Sequence, residues 1–348
     1  MRFGIGPFSA EQHEGIGWTE AYEIMGEGVR AAEASGFDSA WVSERYFSED
    51  GYCPSAFVAA ANLAAQTDAI RIVAMPVLGL THPLYVAEDA AVLDNLSAGR
   101  AAIVPLNAAE HEMRAYGVSA SDYTARYDES IDVLLASWSS RPFSHHGQHW
   151  TIPAQLEGHV ENRTGTVTVT PKPAQPQLPL WIGGFWQHGR DFAAKSGLPM
   201  VLGSISDNSQ LSAYWSAYDA AATTQIRRAP RLVIRDVYVS NAADPAAEVE
   251  PMLRRTFERY QAWGLWSGDA SGDFASLARN RFIIGNPNQV IDQVRELDST
   301  LEVDTLVCRM HFPGMPLHQL LGSIALFSKE VIPEFRMPDL PRQIREGV

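Results

Sequence analysis

The residues of this chain best equipped for chemistry stand at the ends of short apolar runs. Glu44-Arg45-Tyr46 follows Ser39–Ser43, Asn107 follows Ala101–Leu106, and His311-Phe312 follows Asp304–Met310. Burial would raise the pKa of the Glu44 carboxyl and make it a base. Arg45 stays cationic at neutral pH, so it can steady an oxyanion or pair with Glu44 as a structural ion pair, but it cannot take up a proton. His82, just before Pro83, is either a base or a group that orders its loop by hydrogen bonding. His311 has two readings as well, since a group at such a strand end can project into a site or stand solvated in a loop.

Two further constellations concern anions and metals. In Gly183-Gly184-Phe185-Trp186-Gln187-His188-Gly189-Arg190 the glycines permit close approach of the backbone, and Gly189 N–H with Arg190 could meet an anion. Phe185 and Trp186 in that run either stack on a ring system or block the site. His145-His146-Gly147-Gln148-His149 has metal-like spacing, yet no carboxylate or cysteine partner accompanies it, so no metal is expected.

Elements must position these residues. Short β-branched or apolar runs alternate with longer helical patterns, the signature of parallel βα units. The sequence predicts strands over Phe3–Gly6, Ser39–Ser43, Ile70–Val77, Ala101–Leu106, Leu180–Gly183, Met200–Gly203, Leu232–Val239 and Asp304–Met310. It predicts helices over Thr19–Ser35, Pro54–Gln66, Pro83–Leu96, Tyr123–Trp138, His188–Lys195, Asn208–Ala222, Pro245–Trp263 and Pro287–Leu297. Eight strands, each followed by a helix, favour an α/β fold of the closed (β/α)8 or TIM barrel type, with insertions in the βα loops, over an open doubly wound sheet. Two stretches break the alternation: Arg141–Gln177 reads as an excursion with a hairpin at Thr166–Thr170, and Gly264–Ile284 as a mobile loop. One domain over residues 1–335 is expected, with a frayed tail at 336–348.

Composition excludes more than it proposes. With 348 residues, 46% hydrophobic and 20% charged, the chain can build a large core and has too little charge for disorder. A net charge of −14 and a pI near 5.1 argue against a sequence-independent grip on nucleic acid. Cys53 and Cys308 form no redox or metal spacing, which suits a reducing compartment. The N-terminus enters a strand-like run with no basic-then-apolar leader, and no apolar run approaches the roughly 18 residues of a membrane span. A cytoplasmic protein without a membrane partner is expected.

A series of motifs runs in order along nearly the whole chain. Ala34–Trp41 leads into Glu44-Arg45-Tyr46-Phe47; Thr81-His82-Pro83 is followed by Ala87-Glu88-Asp89, Leu93–Arg100 and Glu112–Gly117. Pro171-Lys172-Pro173, Pro179–Gly184, Gly285-Asn286-Pro287 and Leu326–Pro333 complete the series. It resembles the bacterial luciferase-like, flavin-dependent monooxygenases, a (β/α)8 family. The resemblance implies an oxidoreductase that receives reduced FMN from a separate flavin reductase and uses dioxygen to oxygenate a small apolar or aromatic organic substrate. Two alternatives stay open: hydride transfer with a deazaflavin, and a flavin-binding relative that has lost catalysis. A homodimer paired through helices near the second and third βα units is implied too.

By position, the resemblance makes Glu44, Arg45, Tyr46, His82, Asn107 and His311 the catalytic candidates. It makes Ala74, Met75, Arg114, Gly184, Trp186, Gly189 and Arg190 the candidates for holding the cofactor. Tyr46, Phe47, Trp186 and Phe312 are expected to give the mouth an aromatic lining. The chain departs from the family at several of these places. Arg45 and Tyr46 stand where relatives of luciferase have a His pair, and Pro105-Leu106-Asn107 where they have a reactive Cys and a phosphate-binding Arg. Phe185 and Trp186 replace small hydroxyl residues. Arg114 is either a second phosphate contact or a plain surface residue. Ala74-Met75-Pro76 lies where the family has a non-prolyl cis peptide, with a trans Met75-Pro76 bond as the default. Asp94, Ser97, Gly99 and Arg100 should close a helix and begin a strand away from the mouth, leaving His82 alone to face the cofactor.

Overall fold

Runs of buried apolar residues build the strands of the computed structural model, which describes residues 1–154, 165–221 and 229–336. The strands are β1 (Arg2–Phe8), β2 (Ser39–Ser43), β3 (Arg71–Met75), β4 (Ala101–Ile103), β5 (Ile182–Gly183), β6 (Met200–Leu202), β7 (Leu232–Val239) and β8 (Thr305–Arg309). Every residue of β2 and of β7 is buried, as expected of parallel strands covered on both faces. The strand order is β4-β3-β2-β1-β8-β7-β6-β5, all pairs parallel. The sheet curls until Ile103 of β4 bridges Leu180 ahead of β5, where Ile103 N donates to Pro179 O and Trp181 N to Ile103 O, each at 2.9 Å. This ring is the expected (β/α)8 barrel.

Among the described residues, eight helices of ten residues or more return the chain between strands: α1 (Trp18–Ala34), α2 (Ala56–Ala65), α3 (Pro83–Leu96), α4 (Ala120–Trp138), α5 (Gln187–Ser196), α6 (Asn208–Ala221), α7 (Pro245–Ala262) and α8 (Pro287–Leu301). Local chemistry sets several starts. Pro83, Pro245 and Pro287 occupy first turns, where a missing N–H costs nothing. Ahead of them His82, Asp244 and Asn286 cap by accepting backbone N–H bonds. Away from the mouth, the Arg100 guanidinium donates to the carbonyls of Ala64, Thr67, Ile70 and Ser97 at 2.7–3.0 Å. The buried Asp94 carboxylate accepts from Gln175 and Ala101. These two side chains fix the end of α3 against the starts of β3 and β4, the scaffold role expected of them.

Several boundaries differ from expectation for identifiable reasons. Prediction extended β3 to Val77 and β4 to Leu106, but Pro76 and Pro105 cannot donate to a ladder. Beyond them only an isolated Val77–Leu106 bridge remains, and the strands part at the mouth. The segment Gly264–Ile284, expected as a mobile loop, contains a short helix (Phe274–Ala278) and runs into an additional strand (Phe282–Gly285). That strand forms because β6 covers only Leu232 and Val233 on one edge of β7, leaving Asp236–Val239 free to pair with it. The excursion's hairpin joins His145–His146 to Thr151–Ile152 rather than lying at Thr166–Thr170; Val167 instead bridges Phe143. After β8 the chain forms Leu317–Leu326, continued as a π-helical turn to Val331 and by Ile332–Phe335. Arg336, placed in the frayed tail by the sequence, donates to Gly36 O and contacts Asp38. The rest of that tail, and Ala222 at the end of the predicted sixth helix, lie outside the described residues.

Candidate active site

A cavity of about 700 Å³, counted with its open mouth, lies at the C-terminal ends of the strands. Pro7, Ser43, Met75 and Arg309 close it from the ends of β1, β2, β3 and β8, and Ile234 of β7 contributes from inside the barrel. Loops add Arg45, Leu106, Asn107 and the run Gly203-Ser204-Ile205, while α7 and the segment after it supply Tyr260 and Leu265. Phe185 forms part of the wall between two glycines. A methyl group at Gly203 would sit 2.8 Å from its ring, and one at Gly183 would sit 3.0 Å from it and 2.9 Å from Pro105 O. Glycine at both places is therefore what lets an aromatic ring stand there.

The cavity gathers three of the expected residues: Arg45, Met75 and Asn107. Arg45 does not pair with Glu44. Its Nη1 donates to Asn107 O at 2.6 Å and meets Glu112 Oε2 at 3.4 Å, with both side chains buried. Glu112 also accepts Tyr46 N at 2.7 Å and Ala109 N at 2.6 Å, so one carboxylate organises the loops after β2 and β4. Asn107 leaves its Oδ1 buried without a hydrogen-bond partner, an acceptor that costs free energy until something donates to it.

Glu44, Tyr46 and His82 gather instead in a separate cleft with Tyr85 and Asp89. Glu44 accepts from Ala56 N at 2.8 Å, Val77 N at 3.0 Å and the Tyr46 hydroxyl, tying β2 to α2 and β3. Burial raises its pKa although these donors oppose the rise. His82 Nδ1 accepts from Leu84 N at 3.2 Å and its ring packs edge-on to Trp150 at 4.7 Å. Ala74 is buried within β3, and neither bond of Ala74-Met75-Pro76 is cis; among the described residues the cis peptides are Gly6-Pro7, Ile152-Pro153 and Thr170-Pro171.

The remaining candidates for holding a cofactor lie off the cavity lining. Arg114 stands exposed on a short helix (Glu110–Ala115), paired to Glu110 one turn away. Trp186 turns from the cavity to pack on Tyr123 and Tyr127 of α4, at 5.9 and 5.4 Å, with its indole N–H buried and unpartnered. A methyl group at Gly189 would lie 2.7 Å from Gly183 O, and one at Gly184 2.7 Å from Met200, so both glycines serve packing. Arg190 donates to Gly184 O at 3.1 Å and lies over Tyr214 at 4.0 Å. The expected aromatic lining is also replaced: Phe312 is buried, Phe47 is exposed, and Tyr52, Phe185 and Tyr260 take the place of that set. His145, from the metal-like run, pairs with Glu129 at 3.0 Å, and among the described residues no cluster of three His, Cys, Asp or Glu side chains could hold a metal.

Sequence reasoning missed Tyr52, Phe185's place in the wall, Tyr260 and Arg309. A signal existed for Arg309, a lone charge in the apolar run Thr305–Met310, and for the charged pair Arg235-Asp236 inside the apolar strand β7, whose Asp236 binds it. Burial of a charge in a strand demands a partner, and the two are in register: Arg309 pairs with Asp236 across β8 and β7.

The two histidines with resolved shifts make stability depend on pH. Burial pushes His311 below its ordinary 6.5, against the pull of Glu11, and its Nε2 has no partner. Burial, with Arg126 beside it, lowers His82 as well. A histidine with a lower pKa folded than unfolded binds fewer protons in the native state, so stability falls as the pH drops from about 6.5 toward the folded values. Glu44, with a raised pKa, acts in the opposite sense. The double variant His82→Asn, His311→Gln is expected to lose less Tm than wild type between about pH 7 and pH 5.5. Parallel slopes in calorimetry would refute this.

Comparison with known proteins places the chain. The profile of the luciferase-like monooxygenases matches residues 1–302. A flavin-dependent trigonelline monooxygenase oxygenase component from Acinetobacter baylyi is 22% identical, over 93% of this chain and 92% of its own. In fold, monooxygenase RslO1 from Streptomyces bottropensis superposes with a TM-score of 0.83 at 23% identity, covering 97% of this chain and 100% of that one. The oxygenating constituent of 3,6-diketocamphane monooxygenase from Pseudomonas putida, in complex with FMN, gives 0.77 at 20% identity, covering 98% and 100%. The chain belongs to the luciferase-like monooxygenase family and is an oxidoreductase.

Proposed function

We propose, from that membership, that the chain is a flavin-dependent monooxygenase whose central cavity receives reduced FMN and a small, largely apolar organic substrate. A separate flavin reductase supplies the reduced FMN, and the protein works in the cytoplasm. The observation that carries the proposal is the ring of Phe185 between Gly183 and Gly203, in a cavity also lined by Asn107 and Arg309, each of which has a polar atom without a partner. Met75, Leu106 and Phe185 would hold the flavin ring, and Asn107 Oδ1 would accept one of its N–H groups. Phosphate contacts would fall to backbone N–H groups at the start of α5, since Arg114 is engaged at the surface.

When bound, the reduced flavin supplies the reaction with dioxygen. The chain's own part is to place the substrate and exclude water, for which Ile205, Ile234 and Leu265 give apolar cover. Arg45 is placed to steady negative charge on oxygen, with Glu112 fixing its direction. Glu44, its pKa raised by burial, accepts from the Tyr46 hydroxyl beside the neighbouring cleft. The substrates named for the relatives differ, and the substrate here is not carried over from them. Oxygen uptake with chemically reduced FMN, and separately with a reduced deazaflavin, tests the reading. Failure of the protein to bind reduced FMN would sink it.

A homodimer completes the proposal. Val58 on α2, and Tyr85, Val92 and Leu96 on α3, are exposed on adjoining helices, Val58 at 71% and Tyr85 at 70%. A second copy would cover this face. Val58→Asp with Tyr85→Glu is expected to convert a dimer to monomer in sedimentation velocity; a monomeric wild type contradicts the proposal.

A further inference from the structure

We propose that Arg309, held by Asp236 and Tyr260, is a specificity-determining residue that donates a hydrogen bond to a neutral acceptor oxygen of the substrate, a carbonyl or quinone, and discriminates against carboxylates. The inference rests on the reading that an organic substrate enters the central cavity, and it names the chemistry of that substrate's polar end. Arg309 closes β8 at the cavity, next to Ile234, Tyr260 and Leu265. Its Nε donates to Asp236 and its Nη1 to the Tyr260 hydroxyl, while Nη2 is buried with no partner. Burial works against the charge, but Asp236 and Tyr260 outweigh it and keep the guanidinium firmly protonated. The residue is thus a fixed cation with one donor to spare.

The charges around it decide what that donor can take. Both guanidiniums that line the cavity already face a carboxylate, Arg309 facing Asp236 and Arg45 facing Glu112; behind the wall Arg259 faces Glu11 at 2.9 Å and also Asp50, and Arg235 is taken up by Gly203 O, Ser206 O and Asn208. Among the described residues no carboxylate lines the cavity, so the carboxylates that balance Arg309 and Arg45 lie buried behind its wall. A carboxylate entering this site would bring a charge that nothing remains to balance, and burying an unbalanced charge is costly. A carbonyl oxygen satisfies the free N–H and leaves the charge balance untouched. The rest of that wall is apolar, which suits a hydrocarbon or aromatic body behind the oxygen.

Acetophenone and benzoate, nearly equal in shape and different in charge, test the proposal by saturation-transfer NMR and equilibrium dialysis on the purified wild-type protein. Acetophenone is expected to bind at least about tenfold more tightly than benzoate. Arg309→Met should weaken acetophenone about fivefold or more, and Asp236→Asn should reverse the ranking by leaving Arg309 unbalanced. Both variants disturb a buried pair; the wild-type comparison needs neither. Benzoate binding as tightly as acetophenone, or no binding of either probe at about 10 mM, overturns the proposal. Flavin affinity, followed separately by fluorescence quenching, keeps the outcomes apart. If flavin fails to bind while the acetophenone preference holds, the cofactor reading falls and the charge rule stands.

Discussion

Replacing Glu112 with alanine is expected to cost on the order of 3–5 kcal/mol of stability and to abolish flavin binding. The side chain is fully buried and serves three donors: Tyr46 N, Ala109 N and Arg45 Nη1. Alanine leaves two buried N–H groups without acceptors and strands the Arg45 cation, and each loss carries its own desolvation penalty. Glu112→Gln should cost less, because the amide oxygen can still accept one backbone bond while the charge on Arg45 goes unbalanced. The check is urea unfolding of both variants with flavin titration. Wild-type stability in Glu112→Ala would mean that this carboxylate does not organise the loops after β2 and β4.

The second large effect separates two adjacent aromatics. Trp186→Ala is expected to destabilise the fold by about 2–4 kcal/mol, since the indole fills space against Tyr123 and Tyr127. Phe185→Ala should cost less stability but weaken flavin binding about tenfold, because the ring at the cavity wall belongs to Phe185. Equal effects of the two on binding would place the cofactor elsewhere. Before the structure, the run from Gly183 to Arg190 left open whether these rings stack or block. The strand end at Gly183 turns them to opposite sides, Phe185 to the cavity and Trp186 to the helical layer.

The site was only partly legible for a related reason. Periodicity identifies the strands, and the family resemblance then singled out Arg45, Met75 and Asn107 at or near their ends. It does not say toward which neighbour a loop side chain turns. Glu44 and Tyr46 flank Arg45 in sequence, yet they share a separate cleft with His82, because Glu44 is drawn to the N–H groups of Ala56 and Val77. Arg114 looked like an anion contact from its position alone, but its helix presents it to solvent beside Glu110. Arg309 and Asp236 lie 73 positions apart and meet only because β8 and β7 are neighbours in register.

The sequence by itself determined the barrel. The apolar runs, their spacing by amphipathic segments, and the prolines and caps that start α3, α7 and α8 are local properties, so eight strands and the helices between them were readable without contacts. It also determined the family, through motifs such as Thr81–Arg100 whose Asp94 and Arg100 lock the scaffold. Only the tertiary structure decided the chemistry of the cavity. Partner choice among buried charges, the sides to which Phe185 and Trp186 turn, and the spare donor on Arg309 all depend on which strand ends converge. That convergence follows from barrel closure, a long-range property that no local stretch of the chain encodes.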